Sequence, residues 1–449
     1  MDKRKRRLIE LGKDLLIAAL TCSAVYLGGV NLMAAGLNGL LHPPDAAGPS
    51  APQAQESSAI AWPVRMAVSY WNGDNMRRQG VQYDQAGCEQ LFQPAASLLR
   101  EALGSAGPAQ AVSQREWRQV LGQSSNLYFD FLGDIPLSVL SGWLSGEEVQ
   151  LEGTVRRLVL AARGGQAALY YRDRETGGLY ARRAEVVSAD QLEAAALGAV
   201  DNGAVFAFEQ EQYALLDGDT MILPQQPQPR VYAAANPLAG EGEEGSLGGR
   251  MGELLSALSF PENSYIYSGT DGQVIRSGSG TLRVYSGGTV TYSAVQGESS
   301  RYLVPSQGTP TRFEAAEACR QLAERAAGAL AGAARLYLRE MEQTAGGWRV
   351  DFGYCLDGAQ VQVGEAGYAA SFLVEGGEIT QFTLQLRCYT DTERRSIVLP
   401  ERLAAAALEP LDRQGGELLL AYWDTGGETA SAGWAAPRTG EEALAEAGR

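Results

Sequence analysis

Lysine and histidine are nearly missing from this chain. It has three Lys, all within the first thirteen residues (Lys3, Lys5 and Lys13), and one His, His42. Beyond His42, Ser-His-Asp and Cys-His nucleophiles are excluded because they need an imidazole base. Ser-Lys dyads, Schiff bases and phosphate-loop lysines are excluded because they need an ammonium group. His-ligated zinc enzymes go with them. An enzymatic reading is left with carboxylate chemistry or a metal held by oxygen. Positive charge is scarce overall: 37 Lys and Arg stand against 53 Asp and Glu, a net charge of −16. No nucleic-acid partner is expected, since phosphate asks for a basic face.

The chain is 449 residues long, 45% hydrophobic and 20% charged. These proportions describe a folded globular protein. At about 100–200 residues per domain the length allows two to four domains. Residues 3–7, Lys-Arg-Lys-Arg-Arg, precede a mostly apolar stretch from Leu15 to Leu37. That stretch is long enough to cross a bilayer core of about 30 Å as a helix. Basic flanks stay in the cytoplasm, so the N-terminus is expected inside and the bulk of the chain outside. A cleaved signal peptide would have a shorter apolar region and an A-x-A-like site, which Ala34-Ala35-Gly36 matches poorly. The outer part holds 31 basic and 50 acidic residues, a net charge of −19 that anionic lipid would repel. Within the span, Ala19 and Ser23, then Ala24 and Gly28, sit four apart. Small residues at this spacing let helices approach closely, and Asn31 can bond across such a contact. Ala24, Gly28 and Asn31 are therefore the candidate contacts for a partner helix, although small residues are common in spans generally.

The sequence divides into a basic cytoplasmic tail (1–14), an anchor (15–37), a tether rich in Pro, Ala and Ser (38–60), an N-terminal α+β domain (61–230), two helix-plus-meander domains (231–308 and 309–437) and a flexible tail (438–449). The expected fold class is α+β: one transmembrane helix, then a multi-domain extracytoplasmic region of antiparallel sheets with packed helices, its last two units similar to each other. Val64, Met66, Val68 and Tyr70 alternate with Arg65, Ala67 and Ser69, the pattern of a half-buried strand. A helix is predicted over Gln85–Leu103, interrupted by Pro94. Capping boxes are expected at Ser113, Ser188 and Thr311. Asp134 is expected to cap a helix with Pro136 in its first turn. Val205–Phe208 and Gln212–Leu216 suggest a hairpin. Further strands are expected at 154–162, 167–173, 179–187, 348–355, 367–374 and 378–389. In the helix after Thr311, Ala315, Cys319, Leu322, Ala326 and Ala329 form an apolar face, and Glu314, Glu317, Gln321 and Glu324 a wet one. Hairpins should turn at Gly287-Gly288 and Gly376-Gly377. The run Gly240-Glu-Gly-Glu-Glu-Gly245 is expected to form an acidic loop.

Each candidate chemical motif has a plain structural alternative. Asp424-Thr-Gly426 has the form of an aspartic-protease loop, which needs a second carboxylate to share a proton. The chain has no second such motif, and the 23 residues after Gly426 are too few for the rest of a lobe. A strand-ending turn is the simpler reading. Asp217-Gly-Asp219 suggests calcium, but the fifth and twelfth positions of such a loop are Met221 and Gln228, which supply no carboxylate. Cys88, Cys319, Cys355 and Cys388 have no metal-site spacing and are open to disulfide pairing or to burial as thiols. Trp71, Tyr170 and Tyr171 are candidate partner-binding aromatics, although strand aromatics usually pack. No cofactor and no metal are expected.

Several phrases resemble the YycH family, with the related YycI family as second choice. They are the basic start with one anchor, Ser113–Leu121 followed by Leu127–Leu132 and Ile135-Pro-Leu137, and the helix at 250–258 followed by Phe260-Pro261 and short strands reaching Leu282–Tyr292. The sequence departs from the family in its Gly-Ala-rich, Lys-poor make-up and its acidic loop. The resemblance implies a non-enzymatic accessory protein of the WalK–WalR two-component system, with no catalytic motif to carry over. It implies a sensor histidine kinase and a YycI-like protein as partners, met through membrane helices and outer domains in cell-wall homeostasis. The alternatives are an anchored wall- or peptide-binding module without a kinase, and a carboxylate hydrolase.

Overall fold

A computed structural model of the chain describes residues 59–163, 165–239, 249–260, 264–269, 271–407 and 416–435. The anchor, most of the tether, the acidic loop at 240–245 and the tail fall outside these residues. No helix among the described residues is long and apolar enough to cross a membrane.

Seven strands form the first sheet: β1 (Arg65–Asn72), β2 (Asn75–Val81), β3 (Gln110–Ala111), β4 (Asn126–Pro136), β5 (Thr154–Arg163), β6 (Gln166–Arg172) and β7 (Leu179–Ser188). Their order is β2-β1-β4-β5-β6-β7-β3, antiparallel throughout. Helix α1 (Gln85–Gly104) packs on one face through Phe92, Leu99 and Leu103, and α2 (Gln114–Gln123) on the other through Trp117 and Leu121. Helices α3 (Leu137–Ser145) and α4 (Ala189–Ala195) join α1. With both faces covered, β1 is buried on both, and the half-buried reading of Val64–Tyr70 is corrected. Neighbours Tyr170 and Tyr171 point to opposite faces and are both buried, 1% and 2% exposed, so they are not binding aromatics; Trp71, at the end of β1, is 50% exposed.

Local chemistry explains most helix boundaries. The Asp84 side chain accepts from the Gly87 N–H and starts α1, which runs unbroken past Pro94. Pro94 and Gln90, whose carbonyl it leaves unbonded, both lie on the wet face, where that carbonyl is open to solvent. Ser113 accepts from Glu116 N–H, and at Ser188 both arms of the capping box form. Asp134 does not cap: β4 extends to Pro136, α3 starts at Leu137, and Asp134 pairs with Arg174 at 3.0 Å. The hairpin expected at 205–216 has a different partner. β8 (Val205–Phe206) pairs with β9 (Met221–Ile222), and short 3-10 turns fill Ala207–Glu209 and Glu211–Tyr213.

The second sheet begins with β10 (Arg230–Ala235), followed by α5 (Gly249–Ala257) and a meander of β11 (Tyr265–Gly269), β12 (Gly272–Ser277), β13 (Gly280–Tyr285) and β14 (Thr289–Ala294). Helix α6 (Arg312–Ala326) then precedes β15 (Arg335–Gln343), β16 (Gly347–Leu356), β17 (Ala359–Val363), β18 (Ala370–Glu375), β19 (Glu378–Gln385) and β20 (Cys388–Arg395). Helix α7 (Glu401–Ala406), β21 (Leu419–Asp424) and β22 (Thr429–Ala435) complete it. The order is β11-β12-β13-β14-β19-β18-β16-β17-β21-β22-β10-β20, with β15 on the other side of β16. The two meanders thus share one sheet through the β14–β19 ladder. The single strand expected at 378–389 breaks at Leu386-Arg387, where the chain leaves β19 for β20. Gly376 and Gly377 both take positive φ (59° and 86°) in the β18–β19 turn, which suits a two-residue hairpin.

The capping box at Thr311 forms, and Ala315, Cys319, Leu322 and Ala326 are buried, but Ala329 lies beyond α6 and is exposed. The supposed wet face is partly engaged: Glu317 accepts from Trp143 Nε1 of α3 (2.9 Å) and pairs with the buried Arg320. One apolar core runs from β1 through α1, α3 and α6 to β18 and β19. Two glycines permit the close approach. A Cβ on Gly142 would lie 2.4 Å from the Phe313 ring, and a Cβ on Gly133 would lie 1.9 Å from the Leu338 carbonyl oxygen of β15. The Gly142 neighbour is a side chain, whereas at Gly133 it is backbone, which cannot step aside. Gly133→Ala is therefore expected to lower stability by about 2–3 kcal/mol, as overpacking does. Gly104→Ala, with open space around it, should be near neutral when both are compared by urea unfolding.

Candidate functional site

Charged side chains meet where the first sheet touches the C-terminal strands. Arg65 (β1), Asp130 (β4), Arg156 and Arg157 (β5) converge on Glu417, just before β21. Glu417 accepts from Arg156 Nη1 at 2.6 Å and pairs with Arg157 Nη2 at 2.6 Å and Arg65 Nη1 at 3.3 Å. Asp130 pairs with Arg65 Nη1 at 3.2 Å and with Arg156 Nε at 3.2 Å. Arg157 Nη1 also donates to Asp217 at 2.9 Å. Three guanidinium groups thus balance three carboxylates. Asp130 is fully buried, and Arg65 and Glu417 nearly so.

A slip in the β4–β5 ladder builds this corner. Asp130 lies opposite Arg157, but Ile135 lies opposite Val155, so β4 carries a bulge. Leu132 sits in the bulge at φ 72°, and its N–H donates to Asp130 Oδ1 at 2.8 Å. Beside this slip two consecutive arginines of β5 serve the same acids, although consecutive strand residues ordinarily face opposite ways. Burial pushes the Asp130 carboxyl up, but Arg156, Arg65 and Arg157 together hold it well below the ordinary carboxylate range. It is therefore a fixed anion, without the raised pKa that a general acid at neutral pH requires.

The motifs singled out in the sequence are engaged structurally. Asp424 ends β21 and is buried; Arg387 Nε and Nη2 donate to it at 2.7 and 2.8 Å and Tyr389 Oη at 2.9 Å. No second carboxylate joins it in these contacts, and the protease reading is set aside in favour of the strand-ending turn. Asp217 and Asp219 occupy a turn before β9. Burial works against the Asp217 charge, but Arg157 lowers its pKa; burial, then the Asp217 charge, raises that of Asp219. Asp219 accepts from Trp117 Nε1 at 2.8 Å. Among the described residues no group of His, Cys, Asp and Glu is arranged to hold a metal ion. Cys88, Cys319, Cys355 and Cys388 are free thiols, the first three buried. The candidate helix contacts Ala24, Gly28 and Asn31 lie outside the described residues.

A second group, on the same seam, was not foreseen from sequence. Glu401 opens α7, is 4% exposed, and accepts from Gln82 Nε2 (2.6 Å) and from Leu223 N–H (2.8 Å). Beside it, Tyr83 Oη accepts from Leu420 N–H at 3.0 Å. One carboxylate thereby ties the first sheet, the segment after β9 and the C-terminal helix. A small groove of about 260 Å³ opens elsewhere, lined by Asp134, Arg174, Glu175, Arg312 and Trp348. In it Arg174 pairs with Asp134 and Arg312 with Glu175, and Glu340 and Glu342 also line it. The sequence did carry a signal for the main cluster: a lone acid inside Leu127-Tyr-Phe-Asp-Phe-Leu132 is expensive to bury without cations.

The geometry defines an α+β protein of two large sheets joined through a buried charge cluster. No protein-family model and no curated protein matches the sequence. Among solved structures, the fold is similar to that of YycH from Bacillus subtilis, with 11% identity and a TM-score of 0.52, over 86% of this chain and 96% of that one. The structural likeness agrees with the family that the sequence phrases resemble, and at this identity it establishes the fold.

Burial pushes the Glu401 carboxyl up to about 7, against the opposing pull of Leu223 N–H and Gln82. Between the ordinary 4.5 and 7 the native state keeps a proton that the unfolded chain has released. This stability is fully present below about pH 4.5 and is lost as pH rises through 7, an effect of roughly 3 kcal/mol. Glu401→Gln should flatten that part of the stability–pH profile, read by urea unfolding from pH 4.5 to 8. An unchanged slope would show that Glu401 does not titrate there.

Proposed function

We propose that this chain is a membrane-anchored accessory protein of a WalK-type sensor histidine kinase, working outside the cytoplasmic membrane with no reaction chemistry of its own. The observation that carries the reading is the YycH-like fold over 86% of the chain. The basic start and the apolar stretch Leu15–Leu37 support the anchor. The near absence of His and Lys, and the pairing of Asp130, Glu417 and Asp424 with arginine, support a role in binding. In this reading the helix 15–37 packs beside kinase spans through Ala24, Gly28 and Asn31, and the outer domains report an envelope condition, with a YycI-like protein as a further partner. A differential contact of about 1–3 kcal/mol is enough to change kinase output 5–150-fold.

Full-length protein taken from membranes in mild detergent should co-purify with a histidine kinase, identified by crosslinking and mass spectrometry. The kinase should be lost when residues 15–37 are exchanged for an unrelated span and weakened by Ala24→Leu with Gly28→Leu. Undiminished recovery with the exchanged span would overturn the helix contact. Recovery of wall fragments without any kinase would replace this reading with an anchored wall-binding module.

A further inference from the structure

The sheet edges of this protein are protected in every described case but one. Edge strand β2 carries Arg77 and Arg78, and its backbone is bonded by Asp201 and Asn202. Strand β3 has two residues. Strand β15 carries Glu340 and Glu342 and a bulge. Strand β20 carries Glu393, Arg394 and Arg395, with Glu393 at φ 61° and an irregular register against β10. Short length, charge, bulges and covering groups are the usual defences of an open edge. Strand β11, Tyr-Ile-Tyr-Ser-Gly, has none of them. All five residues are exposed, Tyr265 by 80% and Tyr267 by 47%. One edge pairs with β12, and no described group bonds the other.

The chemistry beside this edge selects the occupant. Tyr265 lies opposite Arg276 and Tyr267 opposite Val274, which in turn lies opposite Arg283. Residues directly opposite in a ladder share a face, so the two tyrosines and two arginines are on one side. The other side holds Ile275, Leu282, Val284 and Tyr292, all buried. Strands β11–β14 contain no Asp or Glu, in a chain with 53 of them; Asp271 stands in the turn at one end. Neither Arg276 nor Arg283 forms an ion pair among the described residues. A second copy added through β11 would bring two more arginines to the same face and no acid. An extended segment with carboxylates on alternate residues would set them beside the tyrosines and within reach of Arg276.

We propose that β11 accepts an extended acidic peptide segment of a partner protein as an added strand, held by backbone hydrogen bonds and oriented by Arg276, with Arg283 adding positive charge to the same face. This surface is read from the fold alone and does not depend on a kinase being the partner.

The test uses full-length protein in detergent and the peptide Thr-Glu-Val-Glu-Val-Glu-Thr-amide with fluorescein on its N-terminus, followed by polarisation. The peptide should bind at least tenfold more tightly than its Lys-for-Glu analogue. Alternate N-methylation that blocks one edge of the peptide should abolish binding, and methylation of the other edge should not. Arg276→Ala with Arg283→Ala should weaken binding at least fivefold, and Ile266→Pro should remove it. Absent binding, equal affinity for the Lys analogue, or indifference to N-methylation on either edge would overturn the proposal. So would a disulfide between two copies of Ser268→Cys that the acidic peptide does not prevent, because a second copy would then be the occupant. The N-methylated peptides keep the test decisive if Ile266→Pro does not fold.

Discussion

The structure depends on burying charge at a seam between two sheets. Three arginines and three carboxylates leave water together, and each ion is tolerable only because the others are present. Arg65, Asp130, Arg156 and Arg157 come from the first sheet, whereas Glu417 arrives from the far end of the chain. The cluster is directional where an apolar seam is not. Oily surfaces can slide, but the Arg156–Glu417 pair at 2.6 Å fixes one register. Glu401 and Tyr83 extend the same seam with hydrogen bonds to Gln82, Leu223 and Leu420. The position of α7 and β21 against β1 is thus set by polar groups at two points.

The acids of this seam and of the β21 turn hold the fold together and are not placed for proton transfer. A catalytic acid needs a proton near neutral pH and access to substrate. Asp130, Glu417 and Asp424 are held by guanidinium groups and sealed away. The exposed features are of another kind: an uncharged strand edge and an aromatic and arginine-bearing sheet face on the second sheet.

Much of the fold was legible in the sequence, for local reasons. Capping residues and Gly pairs act over three or four positions, so Ser188, Thr311 and Gly376-Gly377 marked their elements correctly. Strands β5, β6 and β7 were expected close to where they lie, but the alternation read at Val64–Tyr70 did not show that α2 would cover the second face of the sheet, which is why β1 proved buried on both sides. Strands β2 and β20 were hidden because Asn75-Met-Arg-Arg and Asp391-Thr-Glu-Arg lack alternation; their pairing is fixed by neighbours. The seam was hidden for the same reason, since Arg65 and Glu417 are 352 residues apart. Asp130 inside an apolar strand was its one local trace. Asp134 misled because a good capping residue stood two residues early, where β4 was still pairing with β5.

A double-mutant cycle on Arg156 and Glu417 tests the central claim most directly. Urea unfolding would be measured for Arg156→Ala, Glu417→Ala and the double variant. Removing one partner strands a buried charge and should cost about 3–5 kcal/mol, with the double variant costing well below the sum and a coupling of at least about 1.5 kcal/mol. Additive losses within about 0.5 kcal/mol would mean that the two residues act independently, and that packing rather than the charge cluster holds the sheets in register.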